Sequence, residues 1–164
     1  MVRRLADVGE VAADYGCIAA VEPHVNGMAE KPERGAWLMK TLDHPNVKLN
    51  FDISHYLAGH VGIEDTVPLL VPYTVHTHVK DVVHLPDGTH TFVLPGAGDF
   101  DYVAYFQAMA RAGWKGYVTA EVSARVFRKE GYDPFAAVTF CYRALSEALA
   151  KATKAIGARE PQPA

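Results

Sequence analysis

Cysteine is nearly absent. Cys17 and Cys141 are the two in 164 residues, and their spacing matches no zinc or redox motif. This excludes a disulfide framework and a sulfur-ligated structural metal. Both thiols read as reduced core residues, one on a predicted strand and one on a predicted helix. Charge of one sign is scarce as well. The formal net charge is −3, so nothing points to nucleic acid or a membrane held by bulk electrostatics. No apolar run approaches the ~20 residues of a membrane span. The opening Met1-Val-Arg-Arg-Leu-Ala lacks the apolar core of a signal peptide. A cytoplasmic protein is expected. The rest of the composition is ordinary, 49% hydrophobic and 21% charged, and suits one globular domain.

Polar groups gather instead at the ends of short apolar runs. Tyr73-Thr-Val-His-Thr-His-Val79 alternates and is rich in Val and Thr, as strands are. It delivers His78, Lys80 and Asp81. Cys17-Ile-Ala-Ala-Val-Glu22 ends in Glu22, and Val47-Lys-Leu-Asn-Phe-Asp52 ends in Asp52, with His55 just beyond. Tyr117-Val-Thr-Ala-Glu121 ends in Glu121. Four strands that each close on a carboxylate or an imidazole suggest one shared site.

The intervening segments read as helices. Residues 2–15 carry a 3.6-residue apolar stripe, with Gly16 as the stop. A helix over 33–43 follows Pro32, and Ser54 to Ala58 makes a short helical turn. A third helix, around 64–71, is cut by Pro72. The loop 81–99 holds Pro86-Asp-Gly88, the tip of a small hairpin, and Pro95-Gly-Ala-Gly98. Asp99 is the expected N-cap of a helix over 100–112. Asp133-Pro134 opens a last helix that runs to about Ile156, and a frayed tail is expected over 157–164. The order is α-(βα)₄. The expected fold class is therefore α/β, with a parallel sheet of helical crossovers. In such sheets ligands bind at the carboxyl ends of the strands.

Glu22, Asp52, His78 and Glu121 make three carboxylates and one imidazole. Three anionic groups repel each other unless a cation lies between them. Oxygen-rich ligation with one nitrogen suits Mn²⁺, Mg²⁺ or Co²⁺, with Zn²⁺ also allowed. A single acidic residue at a strand end is more often a cap or a surface charge; four of four make coincidence the minor reading. His55 serves as a cap or support in the plainer view. His76 shares strand parity with His78, so both face the same side or one joins a neighbouring layer. His84 and His90 are expected in solvent. Gly96 and Gly98 form a tight turn rather than a phosphate cradle. Trp37, Trp114 and the aromatics of the last helix read as core.

Taken in order, Glu22-Pro-His24, Asp52-Ile-Ser-His55, His76-Thr-His78-Val-Lys80-Asp81, Gly96-Ala-Gly98-Asp99-Phe-Asp101 and Gly116-Tyr-Val-Thr-Ala-Glu121 resemble the second half of the sugar phosphate isomerase/epimerase family. That group shares the xylose-isomerase-like TIM barrel, and the resemblance covers roughly residues 5–150. It implies that residues 1–156 are a C-terminal (βα)₄ half-barrel with four strands. It also implies a divalent metal held by Glu22, Asp52, His78 and Glu121. In the ketose 3-epimerases of the superfamily the two strand-end glutamates also move the proton. Glu22 and Glu121 are thus the catalytic candidates, with His55, Lys80 and His24 beside the substrate. The endonuclease-IV-like branch adds an Asp-x-His in the long loop. Here the nearest match, Asp87-Gly-Thr-His90, has the wrong spacing, which places DNA repair well below sugar chemistry.

The first expectation is a metal-dependent isomerase or epimerase of a small sugar, polyol or keto acid. The second is a cyclic-polyol (inosose-type) dehydratase on the same site. The third is a truncated metal-binding half-barrel without turnover. Four parallel strands leave two open edges, so the chain is expected either to be part of a longer one or to pair as a homo-oligomer.

Overall fold

The structure, a computed structural model, describes residues 1–157. Helix α1, Val2–Asp14, buries Gly9. A Cβ there would stand 2.6 Å from the His44 ring, so glycine lets the helix lie against the turn that leads into β2. Strand β1 is Ala19–Val21. Helix α2, Pro32–Leu42, starts on its N-terminal proline and ends at Asp43, which adopts the left-handed conformation (φ 43°). Strand β2, Val47–Asp52, is buried almost throughout. It passes straight into α3, Ile53–Ala58, where Asp52 is the N-cap and its carboxylate accepts from the Ser54 N–H at 2.8 Å. Helix α4, Ile63–Leu70, runs into a 3₁₀ turn, Val71–Tyr73, and strand β3, Thr74–Val79, follows.

Strands β4, Asp81–His84, and β5, His90–Val93, form an antiparallel hairpin apart from the main sheet. Helix α5, Tyr102–Arg111, leads to the short strand β6, Thr119–Ala120. A one-turn helix α6, Ala124–Phe127, and the long α7, Pro134–Gly157, complete the chain.

The main sheet has the order β1-β2-β3-β6, and every pair is parallel. The α/β class and the four parallel strands agree with the sequence expectation. Asp52 stands opposite His78 in the β2/β3 register. His78 stands opposite Thr119, and the Glu121 N–H donates to Val79 O at 2.9 Å. These pairings bring the four strand ends to one edge of the sheet. The core lies between sheet and helices, where Leu49, Phe51, Ile53, Tyr56, Val67, Leu70, Val79 and Tyr105 are fully buried. Each large apolar side chain of this kind contributes about 1.5–3 kcal/mol of burial free energy.

Several sequence expectations are corrected. The α5 cap is Asp101, whose carboxylate accepts from the Ala104 N–H at 2.9 Å; Asp99 lies in the loop before it. The outer strands β1 and β6 are shorter than the runs 17–22 and 117–121, since each pairs on one side only among the described residues. Cys17 therefore falls outside β1 and is exposed, whereas Cys141 is buried. Trp37 is 57% exposed, and Phe135, Phe140 and Tyr142 of α7 are exposed too, because no described element covers those faces. Trp114 does pack against the core. Helix α7 reaches Gly157, and the rest of the tail expected over 157–164 lies outside the described residues. No helix among the described residues is long and apolar enough to cross a membrane.

Candidate active site

The strand ends meet around one buried ammonium. Lys80, directly after β3, is 3% exposed. Its Nζ donates to Asp52 Oδ2, to Glu121 Oε2 and to His55 Nε2, the last at 3.3 Å. Burial opposes the charge on Lys80. The Asp52 carboxylate, by its charge and its hydrogen bond, and then Glu121 outweigh that cost and hold the pKa above the ordinary lysine value. His55 Nδ1 is buried and has no partner among the described residues.

Glu22 follows β1. Its Oε2 accepts from Asn50 Nδ2 at 3.0 Å and stands 3.5 Å from His78 Nδ1. Its Oε1 faces His55 Nε2 at 3.6 Å, His24 Nε2 at 3.7 Å and Lys80 Nζ at 4.0 Å. Oε1 is buried without a hydrogen-bond partner among the described residues. Burial alone would raise the Glu22 pKa. The His55 imidazole, with Lys80, His78 and His24, pulls it below the usual glutamate value. On the other side of His78, Glu121 Oε2 lies 3.4 Å from the same Nδ1. His24 is exposed at the rim, its ring tilted 34° against that of His55 with centroids 3.9 Å apart. Burial and the neighbouring His55 lower its pKa, partly offset by Glu22.

Glu22, His24, Asp52, His55, His78, Lys80 and Glu121 are therefore brought together. Glu22, His78 and Glu121 present ligand atoms within 4.8 Å of one another, and Glu22, His24 and His55 form a second such group. Asp52 belongs to neither group; it lies one step deeper, fully buried, between Lys80 and the Ser54 N–H. A carboxylate offers about four lone-pair sites, so both of these bonds leave it capacity for a ligand. The unpartnered Glu22 oxygen and the mixed carboxylate–imidazole donor set fit a divalent cation.

His76 is not part of the cluster: it is exposed on β3, edge-on to His78 with ring centroids 5.1 Å apart. Asp81 is not part of it either. Its carboxylate accepts from the N–H groups of Val82 (2.9 Å), Gly96 (3.2 Å) and Gly98 (3.1 Å), and so ties both ends of the loop 81–99 together. A Cβ on Gly98 would overlap that carboxylate. The glycine pair is thus a latch, in line with the tight-turn reading. His84 is exposed as expected, stacked on His60 at 4.2 Å, whereas His90 is half-buried.

Two residues at the site were not anticipated. Asn50 bridges Glu22 and His78, with Nδ2 3.0 and 3.1 Å from them. Its signal was available: it is a polar residue two positions before Asp52 in the same strand, and hence on the same face. Phe92 reaches the site from β5. Its ring is edge-on to His55 at 5.2 Å, and Lys80 Nζ lies 5.1 Å from its centroid. No local pattern indicated that contact.

Residues 1–139 match the model of the family described as xylose isomerase-like TIM barrel. The chain belongs to this family. The chain is 26% identical over 132 residues to the inosose dehydratase of Lactiplantibacillus plantarum, covering 69% of this chain and 42% of that protein. It is also 26% identical over 125 residues to the D-psicose 3-epimerase of Ruminiclostridium cellulolyticum, covering 76% and 40%. This family member thus spans less than half the length of the curated relatives it matches. Among solved structures, an L-ribulose 3-epimerase superposes with a TM-score of 0.79 at 16% identity, over 99% of this chain and 58% of that one. That likeness is one of fold.

Proposed function

We propose that this chain supplies the metal-holding and proton-moving part of a divalent-metal-dependent isomerase or epimerase, acting next to the carbonyl of a small sugar, polyol or keto acid. The observation that supports it best is the placement of Glu22 and Glu121. They come from the two outer strands, yet their carboxylates stand 3.5 and 3.4 Å from one nitrogen of His78. In this reading Glu22, Asp52, His78 and Glu121 hold the ion, with Mn²⁺, Mg²⁺, Co²⁺ or Zn²⁺ compatible with the donors. When bound, the metal polarises the substrate carbonyl and acidifies the adjacent C–H. One glutamate accepts the proton from carbon and the other returns one. The Lys80 ammonium and the His55 imidazole orient the substrate oxygens, and His24 contacts the substrate at the rim. Residues 1–156 then form half of an eight-stranded barrel, which a second four-stranded unit closes.

A second reading keeps the site and makes the reaction a dehydration. Lys80 bears on it by position: its ammonium donates to the Glu121 carboxylate, next to where a departing hydroxyl would leave. The similarity to an inosose dehydratase points the same way.

The test has two parts. Elemental analysis should show metal in the wild-type chain and its loss in Asp52→Ala and His78→Ala; stoichiometric metal in both variants removes the ligand assignment. Solvent deuterium incorporation at the reacting carbon is then followed in Glu22→Gln and Glu121→Gln. A two-base epimerase loses ~10²–10⁴-fold in turnover with either change, whereas a dehydratase responds unequally. A variant that keeps wild-type exchange eliminates its glutamate as a base. Metal binding with no exchange on any polyol leaves a metal-binding module.

A further inference from the structure

The two oxygens of the Glu22 carboxylate have different neighbours. Oε2 accepts from Asn50 Nδ2 at 3.0 Å and faces His78 Nδ1 at 3.5 Å. Oε1 has no hydrogen-bond partner among the described residues and faces His55 at 3.6 Å, His24 at 3.7 Å and Lys80 at 4.0 Å. The end torsion of a glutamate is broad and nearly two-fold. A fixed donor is therefore needed to decide which oxygen turns which way.

That donor comes from the strand in between. β2 lies between β1 and β3 in the sheet, and Asn50 is on the same face of β2 as Asp52. Its amide nitrogen thus stands between one candidate ligand from each neighbouring strand, 3.0 Å from Glu22 and 3.1 Å from His78 Nδ1. Asparagine is a poor choice for a residue that only fills a strand. Asn50 is buried, and its Oδ1 has no partner among the described residues. An apolar side chain at this position would leave no buried amide oxygen unpaired.

A carboxylate holds a cation through one oxygen or through both. With both engaged, neither is left to move a proton. Oε2 has lone pairs for the Asn50 N–H and for an ion together, and the N–H keeps Oε2 on the His78 side. Oε1 is then turned towards His55, His24 and Lys80. The negative charge is shared by the two oxygens, so an ion at Oε2 also answers the unpaired charge at Oε1. We infer that Asn50 is a positioning residue: it keeps Glu22 on the ion through Oε2 alone and leaves Oε1 to move the proton. This rests on the proposed metal and proton-transfer site, and it accounts for how Glu22 fills both of its roles there.

The experiment uses the full chain loaded with Co²⁺, whose visible absorption weakens as its coordination number rises. Asn50→Leu removes the N–H and nearly keeps the volume. It should still bind stoichiometric Co²⁺, with weaker visible absorption than the wild type as Oε1 joins the ion. Glu22→Gln is the control, because an amide binds a metal through its one oxygen. Adding Asn50→Leu to Glu22→Gln should leave the spectrum of the latter unchanged. Asn50→Val, branched as strands prefer, carries the test if the leucine variant does not fold. An unchanged spectrum in the single Asn50 variant overturns the role of Asn50 and leaves the proposed function standing. The same weakening in the Glu22→Gln background means a general loosening of the site and overturns that role too. So does loss of Co²⁺ from a folded Asn50 variant, which would make the amide necessary for binding itself. A wild-type chain that binds no divalent metal overturns the proposed function, and this inference with it.

Discussion

The Lys80 ammonium donates to Asp52 in the floor of the site, and both side chains are cut off from solvent, at 3% and 0% exposure. Neither charge has water to fall back on. Asp52 also caps α3 through the Ser54 N–H, so the pair joins strand β2, helix α3 and strand β3 at one point.

Removing one partner of a buried pair leaves an uncompensated charge, at a typical cost of 3–5 kcal/mol. Lys80→Met is expected to lose stability in about that range in chemical denaturation with chelator present. Lys80→Met combined with Asp52→Asn should recover part of the loss, because the fully buried member of the cluster no longer carries an unpaired charge. The pH dependence has a definite sign. The folded-state pKa of Lys80 is raised, so its contribution is complete below the ordinary value of 10.5 and is lost as pH rises through the folded value. Denaturation midpoints should therefore fall on the alkaline side above that value, and this fall should be smaller in Lys80→Met.

Asp81 has a structural task, distinct from the proposed metal site. In Asp81→Ala the N–H groups of Gly96 and Gly98 lose their acceptor, at about 0.5–1.5 kcal/mol for each hydrogen bond removed. Hydrogen exchange should rise across the hairpin 81–93, while metal content stays that of the wild type. Loss of metal in this variant would instead place Asp81 in the ion's coordination.

The open sides of the sheet predict association. Tyr117, beside β6, is 89% exposed, and Phe135, Val138 and Tyr142 are exposed on the neighbouring face of α7. Val11, Tyr15 and Ile18 are exposed at the β1 side. Apolar surface on this scale drives self-association, and two copies related about the barrel axis would set β6 of one beside β1 of the other. Light scattering of the 164-residue chain at tens of micromolar should give a mass above one chain. Tyr117→Lys with Tyr142→Lys should lower it. A monodisperse monomer that binds no apolar dye contradicts the prediction.

Much of this molecule is local enough to be legible in the sequence. The alternation of β2 and β3 and the proline at the start of α2 depend on neighbours along the chain. So does the rule that strand ends collect polar groups, which is why Glu22, Asp52, His78 and Glu121 could be grouped before any coordinates. The capping of α5 by Asp101 rather than Asp99 was a local ambiguity between two good caps two residues apart.

Other features depend on contacts far apart in the chain, and only the tertiary structure decided them. Lys80 reaches Asp52 because β2 and β3 are adjacent in a parallel register, a pairing between residues 28 positions apart that the intervening chain does not specify. Phe92 meets His55 because a hairpin returns over the strand ends. Trp37 and the α7 aromatics looked like core because hydrophobicity shows what a side chain prefers. Whether it is buried depends on a second surface, and no described element supplies one there. Composition and periodicity determined the α/β order and the donor types; register and packing decided which donors face each other and at what distance.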